Sequence, residues 1–162
     1  MELTQEIAEA LLERWPVARL ATLAPDGRPH LVPVVFARHD GHLWSPVDAK
    51  PKGSHELARV RNVRARPQVC LLLDHYDAAW RHLWWLRVDG RAAVVEGLDP
   101  NADAELGPVA AALRAKYPQY AEVPLFRGTP LVMRVAVERV RSWCAGPAAL
   151  EVASQSVASP TE

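Results

Sequence analysis

Positive charge is concentrated in one short stretch of this sequence, residues 47–68, which reads VDAKPKGSHELARVRNVRARPQ. The stretch holds six lysines and arginines against two acids, whereas the whole chain holds 19 basic and 19 acidic residues. The bases are not interleaved with acids, so ion pairs along a helix do not explain them. Such a cluster in a neutral chain indicates a site for one compact anion.

The spacing within this stretch predicts a loop that binds an anion and leads into a helix. Lys50 and Lys52 lie in a loop that Pro51 and Gly53 impose. Ser54 follows in the position of a helix N-cap. The free N–H groups of a helix start and two nearby cations together favour a bound phosphate.

The predicted helix carries an apolar stripe with arginines on both sides. The stripe consists of Leu57, Val60 and Val63. Arg61 and Arg64 lie to one side of it, and Arg59 and Arg66 lie to the other. One pair can therefore reach a groove between strands while the other pair faces water. A solvated helix with ordinary surface arginines is the alternative interpretation.

Tryptophans gather around the same stretch. Four of the six lie in or beside the neighbouring strands: Trp44, Trp80, Trp84 and Trp85. Adjacent residues of a strand face opposite sides, so Trp84 or Trp85 packs into the core and the other covers an interface or lines a pocket. Trp80, after a polar loop, is the best candidate to pack on a ligand ring. Phosphate-binding bases beside flat aromatics indicate a flavin-like ligand, whereas the neutral net charge disfavours nucleic acid.

No motif of a hydrolase, a metalloprotease or a P-loop is present. His39 and His42 frame a turn, and a solvated hairpin tip is the better interpretation of that pair. His75 and His82 flank a loop, with no cysteine or carboxylate at ligand spacing. We therefore predict no metal site and name no catalytic residue.

The sequence also predicts a cytoplasmic protein without membrane association. Cys70 and Cys144 lie far apart, and Cys70 is in the apolar run QVCLLLD, which favours a reduced thiol. The N-terminus has acids where a signal peptide has bases. No apolar run approaches the roughly 20 residues that a membrane-spanning helix needs.

The elements that must position these residues are mostly strands. We predict a helix at 4–14, a helix after Ser54, a helix within 98–117, and strands at 18–24, 28–38, 42–47, 68–74 and 131–140. Residues 81–97 are expected to form one long strand with a glycine bulge rather than a hairpin. Asp-Gly turns between strands favour an antiparallel barrel with helices at its ends. We expect one domain, residues 1–147, and a mobile tail, residues 148–162.

Four segments, in order, resemble the pyridoxamine 5′-phosphate oxidase-like split β-barrel superfamily. They are ARLATLAPDGRPHLVPVVFA, VDAKPK, RNVRARPQVCLLLD and WLRVDGRAAVVEG. Within the superfamily the chain is most similar to the branch of F420-dependent reductases. The resemblance implies a mainly β fold, a six-stranded antiparallel split β-barrel of the FMN-binding-protein type with flanking helices. It also implies a homodimer with the cofactor in a groove at the dimer interface.

By similarity, the phosphate of a flavin or deazaflavin lies beside the strands, the loop and the start of the helix. The residues implied as cofactor-binding are Ser45, Lys50, Lys52, Ser54, Arg59, Arg61 and Trp80. The segment RSWCAGPAALE lacks the pyridoxal-phosphate-binding motif, which disfavours a true pyridoxamine phosphate oxidase.

The resemblance implies an F420-dependent oxidoreductase. Hydride passes between the deazaflavin coenzyme F420 and a small or medium planar organic substrate, and the coenzyme carries the chemistry. The alternatives are an FMN-binding oxidoreductase of the same fold and a non-catalytic carrier of a flavin, haem or similar anionic ring.

Overall fold

The structure is a computed structural model that describes residues 1–47, 57–97, 104–126 and 128–158. These residues form one antiparallel sheet of seven strands in the order β2-β1-β5-β6-β7-β4-β3. The strands are β1 (Ala18–Leu23), β2 (Pro29–Val34), β3 (Ala37–His39), β4 (His42–Pro46), β5 (Gln68–His75), β6 (Trp84–Glu96) and β7 (Leu131–Cys144). The helices are α1 (Gln5–Arg14), α2 (Ala58–Ala65), α3 (Leu106–Lys116) and α4 (Pro147–Ala158), with 3-10 turns at Trp80–His82 and Pro118–Ala121.

The described sheet has seven strands where six were expected, because the predicted strand 28–38 is divided into β2 and β3. The sheet is not closed. The chain leaves the sheet at Phe36, whose backbone forms hydrogen bonds with a side chain instead of with a neighbouring strand. The Tyr117 hydroxyl accepts from the Phe36 amide at 2.9 Å and donates to the Phe36 carbonyl at 2.7 Å. Pro29 and Pro33 lie on β2, an edge strand, where a missing N–H is tolerated.

The long strand with a glycine bulge is confirmed. β6 has 13 residues and pairs with β7 along its length, with a register shift between Asp89 and Gly90. A Cβ at position 90 would overlap the carbonyl oxygen of Ala136 on β7. The close approach of the two backbones therefore requires glycine at position 90, beside the extra residue of β7, Glu138.

Two hydrophobic clusters hold the described helices to the sheet. The larger cluster fills the inner face and includes Val60 and Val63 of α2, with Leu57 packed against it. The predicted apolar stripe of this helix is thus confirmed. The smaller cluster lies under α3 and includes Trp44 of β4 and Val132 of β7.

Helix α4 corrects the expectation of a mobile tail from residue 148. Ala149, Ala153 and Val157 recur at four-residue spacing and are all buried. The Arg14 guanidinium of α1 donates to the Val157 carbonyl at 2.6 Å. Small side chains gave a weak periodic signal in the sequence, but they allow α4 to pack closely against the rest of the protein.

Helix α1 follows the prediction. Thr4 caps it, its hydroxyl accepting from the Ile7 amide at 3.3 Å. Within the described part of the chain, no helix combines the length and apolar character needed to cross a membrane.

Candidate functional site

The predicted anion-binding loop lies between β4 and α2. Lys50, Lys52 and Ser54 fall in residues 48–56, outside the described residues, so their placement stays a prediction. The expected N-cap at Ser54 is wrong, because α2 begins at Ala58 and its N-cap is Leu57. The chain before and after this segment is held in place. The Val47 amide donates to the Leu131 carbonyl at 2.9 Å, and the Leu57 carbonyl accepts from the Val60 and Arg61 amides at 3.0 and 3.2 Å.

Ser45 is buried on β4, and two residues, Pro46 and Val47, separate it from the segment 48–56. It shares the inner face of β4 with Leu43 and Val47, since these positions alternate along the strand. Its Oγ has no hydrogen-bond partner among the residues described. Buried hydroxyl groups are nearly always paired. Ser45 therefore has unused hydrogen-bonding capacity beside the predicted loop.

The arginines of α2 differ in their engagement with the protein. Arg64 pairs with Glu96 of β6, and the Arg66 guanidinium donates to the Pro25 carbonyl at 3.2 Å. Arg64 and Arg66, one from each side of the apolar stripe, thus bond to the sheet or to its turns. Arg59 is half-buried, and Arg61 is exposed.

Asn62 is a structural residue of this region that the sequence did not reveal. It is buried, and its Nδ2 donates to the Thr22 Oγ1 of β1 at 3.0 Å. Beyond the helix, the Pro67 carbonyl accepts from the Ala92 amide at 2.7 Å. These bonds fix α2, and hence Arg59 and Arg61, relative to the barrel strands. An isolated asparagine in a helix gives no sequence signal for such a contact.

Trp80 lies far from these arginines within one chain. It begins the turn that follows β5, and its side chain is 78% exposed. Helix α2 leads into the other end of β5, whose eight residues span about 23 Å at ~3.3 Å per residue. The two parts of the predicted cofactor site are therefore separated in the single chain.

The loop before Trp80 is braced by one carboxylate. Asp77 Oδ2 lies 3.2 Å from His75 Nε2 and 3.3 Å from His82 Nδ1, and Oδ1 accepts from the Ala79 amide at 2.7 Å. Residue spacing alone does not reveal Asp77 as the partner of these histidines, because the loop brings the three side chains together only on folding. Across the described ranges, no group of side chains suits a metal ion.

A groove lies on the outer face of the sheet, at the end where β5 leads into this loop. It has a volume of about 390 Å³ and is lined by Leu72, Asp74, Tyr76, Trp85 and Arg87. Trp84, on the opposite face, is fully buried. The prediction that one of the two adjacent tryptophans packs into the core and the other borders a pocket or interface is confirmed.

The comparisons with known proteins agree with this architecture. The family model of pyridoxamine 5′-phosphate oxidase matches residues 3–144. The chain belongs to the pyridoxamine 5′-phosphate oxidase family. Its antiparallel sheet with flanking helices is consistent with the family's split barrel, so the expected fold class is confirmed.

Proteins of this fold with solved structures are named for different ligands. HutZ, the haem storage protein of Vibrio cholerae, is 20% identical with a TM-score of 0.66, over 89% of this chain and 95% of that one. An FAD-binding protein of Mesorhizobium loti is 23% identical with a TM-score of 0.62, over 88% and 95%. An F420 reductase is 24% identical with a TM-score of 0.56, over 82% and 94%.

These three identities are low enough that the likeness establishes the fold alone. No curated protein matches the sequence.

Proposed function

We propose that this chain is an F420-dependent oxidoreductase that transfers hydride between the deazaflavin coenzyme and a small or medium planar organic substrate. Membership of the pyridoxamine 5′-phosphate oxidase family supports a flavin-like cofactor, and an F420 reductase shares the fold. The observation that carries the proposal is the basic segment 47–68, which follows the buried and unpaired hydroxyl of Ser45.

The residues around this segment fit a phosphate-bearing cofactor. Ser45 offers a hydroxyl without a partner among the described residues, and Arg61 offers an exposed guanidinium on a helix anchored by Asn62. Lys50, Lys52 and Ser54 complete the proposed phosphate site, with Arg59 beside it. A bound deazaflavin supplies the hydride. The protein's own contribution is to bind and orient the ring and to exclude water.

We further propose a homodimer, because the site is incomplete in one chain. Trp80, the proposed aromatic contact to the ring, is separated from the α2 arginines by the length of β5. A second copy can bring its own Trp80 to them. The edge strand β2 also exposes a large apolar side chain that monomers usually bury, Leu31 at 63% exposure.

An FMN- or FAD-dependent oxidoreductase is the second candidate. It uses the same phosphate-binding residues, and an FAD-binding protein of the same fold supports it. A non-catalytic carrier is the third, supported by the haem storage protein among the neighbours. The cysteines Cys70 and Cys144 are both free thiols, which supports the proposed cytoplasmic location.

Titration of the purified protein with F420, FMN and haem separates these candidates. We expect quenching of tryptophan fluorescence by F420, followed by oxidation of F420H2 with a substrate from a panel of planar electron-poor compounds. Co-purified FMN together with no binding of F420 would refute the first candidate. Binding of F420 without turnover on any panel substrate would favour the carrier.

Substitution of Lys52 tests the phosphate assignment. Lys52→Ala removes one charge-assisted hydrogen bond, so we expect F420 binding to weaken by roughly 1.5–3 kcal/mol. Arg114→Ala, an exposed substitution on α3, is the control and should bind like the wild type. Unchanged titrations for both Lys50→Ala and Lys52→Ala would remove the assignment.

A further inference from the structure

Two arginines lie directly opposite each other on the outer face of the sheet. Arg87 of β6 pairs in register with Arg141 of β7. Like charges in directly opposite positions destabilise a sheet. Arg87 contacts Asp89, with 3.2 Å between Nε and Oδ1, whereas Arg141 is exposed and has no ion-pair partner among the residues that the structure describes. An anion bound between the two guanidinium groups would relieve this repulsion.

An aromatic row lies beside the arginine row. Trp85 pairs in register with Trp143, two residues along from Arg87 and Arg141 on the same face. Two residues of an extended strand span about 7 Å, so this distance separates the two rows. Tyr76, 64% exposed, borders the groove on the loop side.

The remaining charge in the groove is already neutralised. Asp74 pairs with Arg19 of β1, with 2.7 Å between Oδ1 and Nη1. Leu72 adds an apolar side chain between the strands. The groove thus offers flat apolar side chains at one end and the Arg87 guanidinium at the other, with the exposed Arg141 opposite Arg87 on β7. Its volume of about 390 Å³ is at the small end of ligand sites, which suits a compact molecule.

We propose that this groove binds a planar aromatic carboxylate of one or two rings. The ring packs between Trp85 and Tyr76, where aromatic faces favour stacking, and the carboxylate lies between Arg87 and Arg141. Arginine suits this position, since its planar guanidinium matches a carboxylate in geometry. We assign planar aromatic carboxylates as the substrate class, and this assignment rests on the proposed oxidoreductase function. The binding site itself is argued from the groove alone.

Calorimetric titration with 2-naphthoate and its neutral analogue 2-naphthamide tests the proposal without any cofactor. The two molecules share one ring system and differ in charge. We expect the acid to bind about 10-fold more tightly than the amide, the scale of a hydrogen bond between charged groups. Equal affinities for acid and amide in the wild type would overturn the proposal.

Substitutions test whether the preference for the acid over the amide arises in this groove. Arg87→Met should remove most of the preference for the acid, and Arg141→Met, at an exposed position that tolerates change, should reduce it. Arg91→Met is the matched control, an exposed arginine further along the same face of β6, and should keep it. Trp85→Leu should weaken both ligands to a similar extent. An acid preference unchanged in both Arg87→Met and Arg141→Met would overturn the proposal.

The naphthoate titration and the F420 titration test the groove and the cofactor assignment separately. If F420 does not bind but naphthoate binding depends on Arg87, the groove stands and the cofactor assignment fails. If F420 binds and naphthoate shows no preference over the amide, the cofactor assignment stands and the groove assignment fails.

Discussion

Lys116 at the end of α3 has a buried ammonium group, and removal of this group should stabilise the protein. Its Nζ lies 3.8 Å above the ring centroid of Phe36 and has no hydrogen-bond partner in the described part of the chain. Burial lowers the pKa of Lys116 from 10.5 to about 8, and the negative charge of Glu13 offsets this only in part. A buried ammonium group without a hydrogen bond costs folding free energy.

The size of the effect follows from linkage. The difference between a pKa of 10.5 in the unfolded chain and about 8 in the folded one corresponds to about 3 kcal/mol. The penalty is complete below pH 8, where Lys116 is charged in both states. Between pH 8 and 10.5 the unfolded state binds more protons, so stability rises with pH. The cation–π contact with Phe36 offsets ~1 kcal/mol.

We therefore expect Lys116→Met to raise the free energy of unfolding at pH 7 by about 1–3 kcal/mol, because methionine keeps an unbranched chain in the same space. For a protein of this length, each kcal/mol raises Tm by about 2–4 °C. The assay is urea denaturation of wild type and variant at a series of pH values from 7 to 10.5.

The difference between the two proteins should shrink across that window, since only the wild type gains stability from loss of the Lys116 proton. Other groups titrate equally in both proteins, and burial raises the pKa of the neighbouring Tyr117, which stays neutral. Arg114→Met, on the exposed face of α3, is the control. A variant less stable than the wild type at pH 7, or a difference constant with pH, would refute the reasoning.

Two further predictions concern the proposed dimer and the bulge. Leu31→Lys on the exposed face of β2 should shift the protein toward monomer in sedimentation velocity, whereas Val123→Lys, exposed elsewhere, should not; a wild type that is monomeric at micromolar concentration would contradict the dimer. Gly90→Ala should lower the free energy of unfolding by about 1–3 kcal/mol, because the new Cβ would overlap the Ala136 carbonyl. Gly146→Ala, where a Cβ meets no atom within 4 Å, is its control in urea denaturation, and equal losses would contradict the packing argument.

Local sequence rules predicted those elements whose signals lie within a few residues. Thr4 caps α1 as expected, since the capping bond joins residues three apart. The alternation of side chains along a strand was enough to predict that Trp84 and Trp85 face opposite sides. The glycine bulge at Gly90 followed from long flanking runs of strand-forming residues.

Interactions between distant segments decided the rest. Tyr117 takes the backbone of Phe36 out of the sheet, although 81 residues separate them, and so divides the predicted second strand. Arg14 bonds α4 across 143 residues, and this contact is absent from any local pattern. The expectation of a mobile tail was therefore wrong for residues 148–158, because the local sequence does not reveal the contact with Arg14.

The candidate site shows the same division. The sequence by itself determined that a neutral chain gathers cations at residues 47–68 and that aromatic residues lie near them along the chain, since both are properties of composition and spacing. Only the tertiary structure showed that Arg64 and Arg66 are engaged by β6 and by the first turn, because these contacts join distant segments. It alone paired Arg87 with Arg141 and Trp85 with Trp143, since strand register depends on contacts between segments more than 50 residues apart.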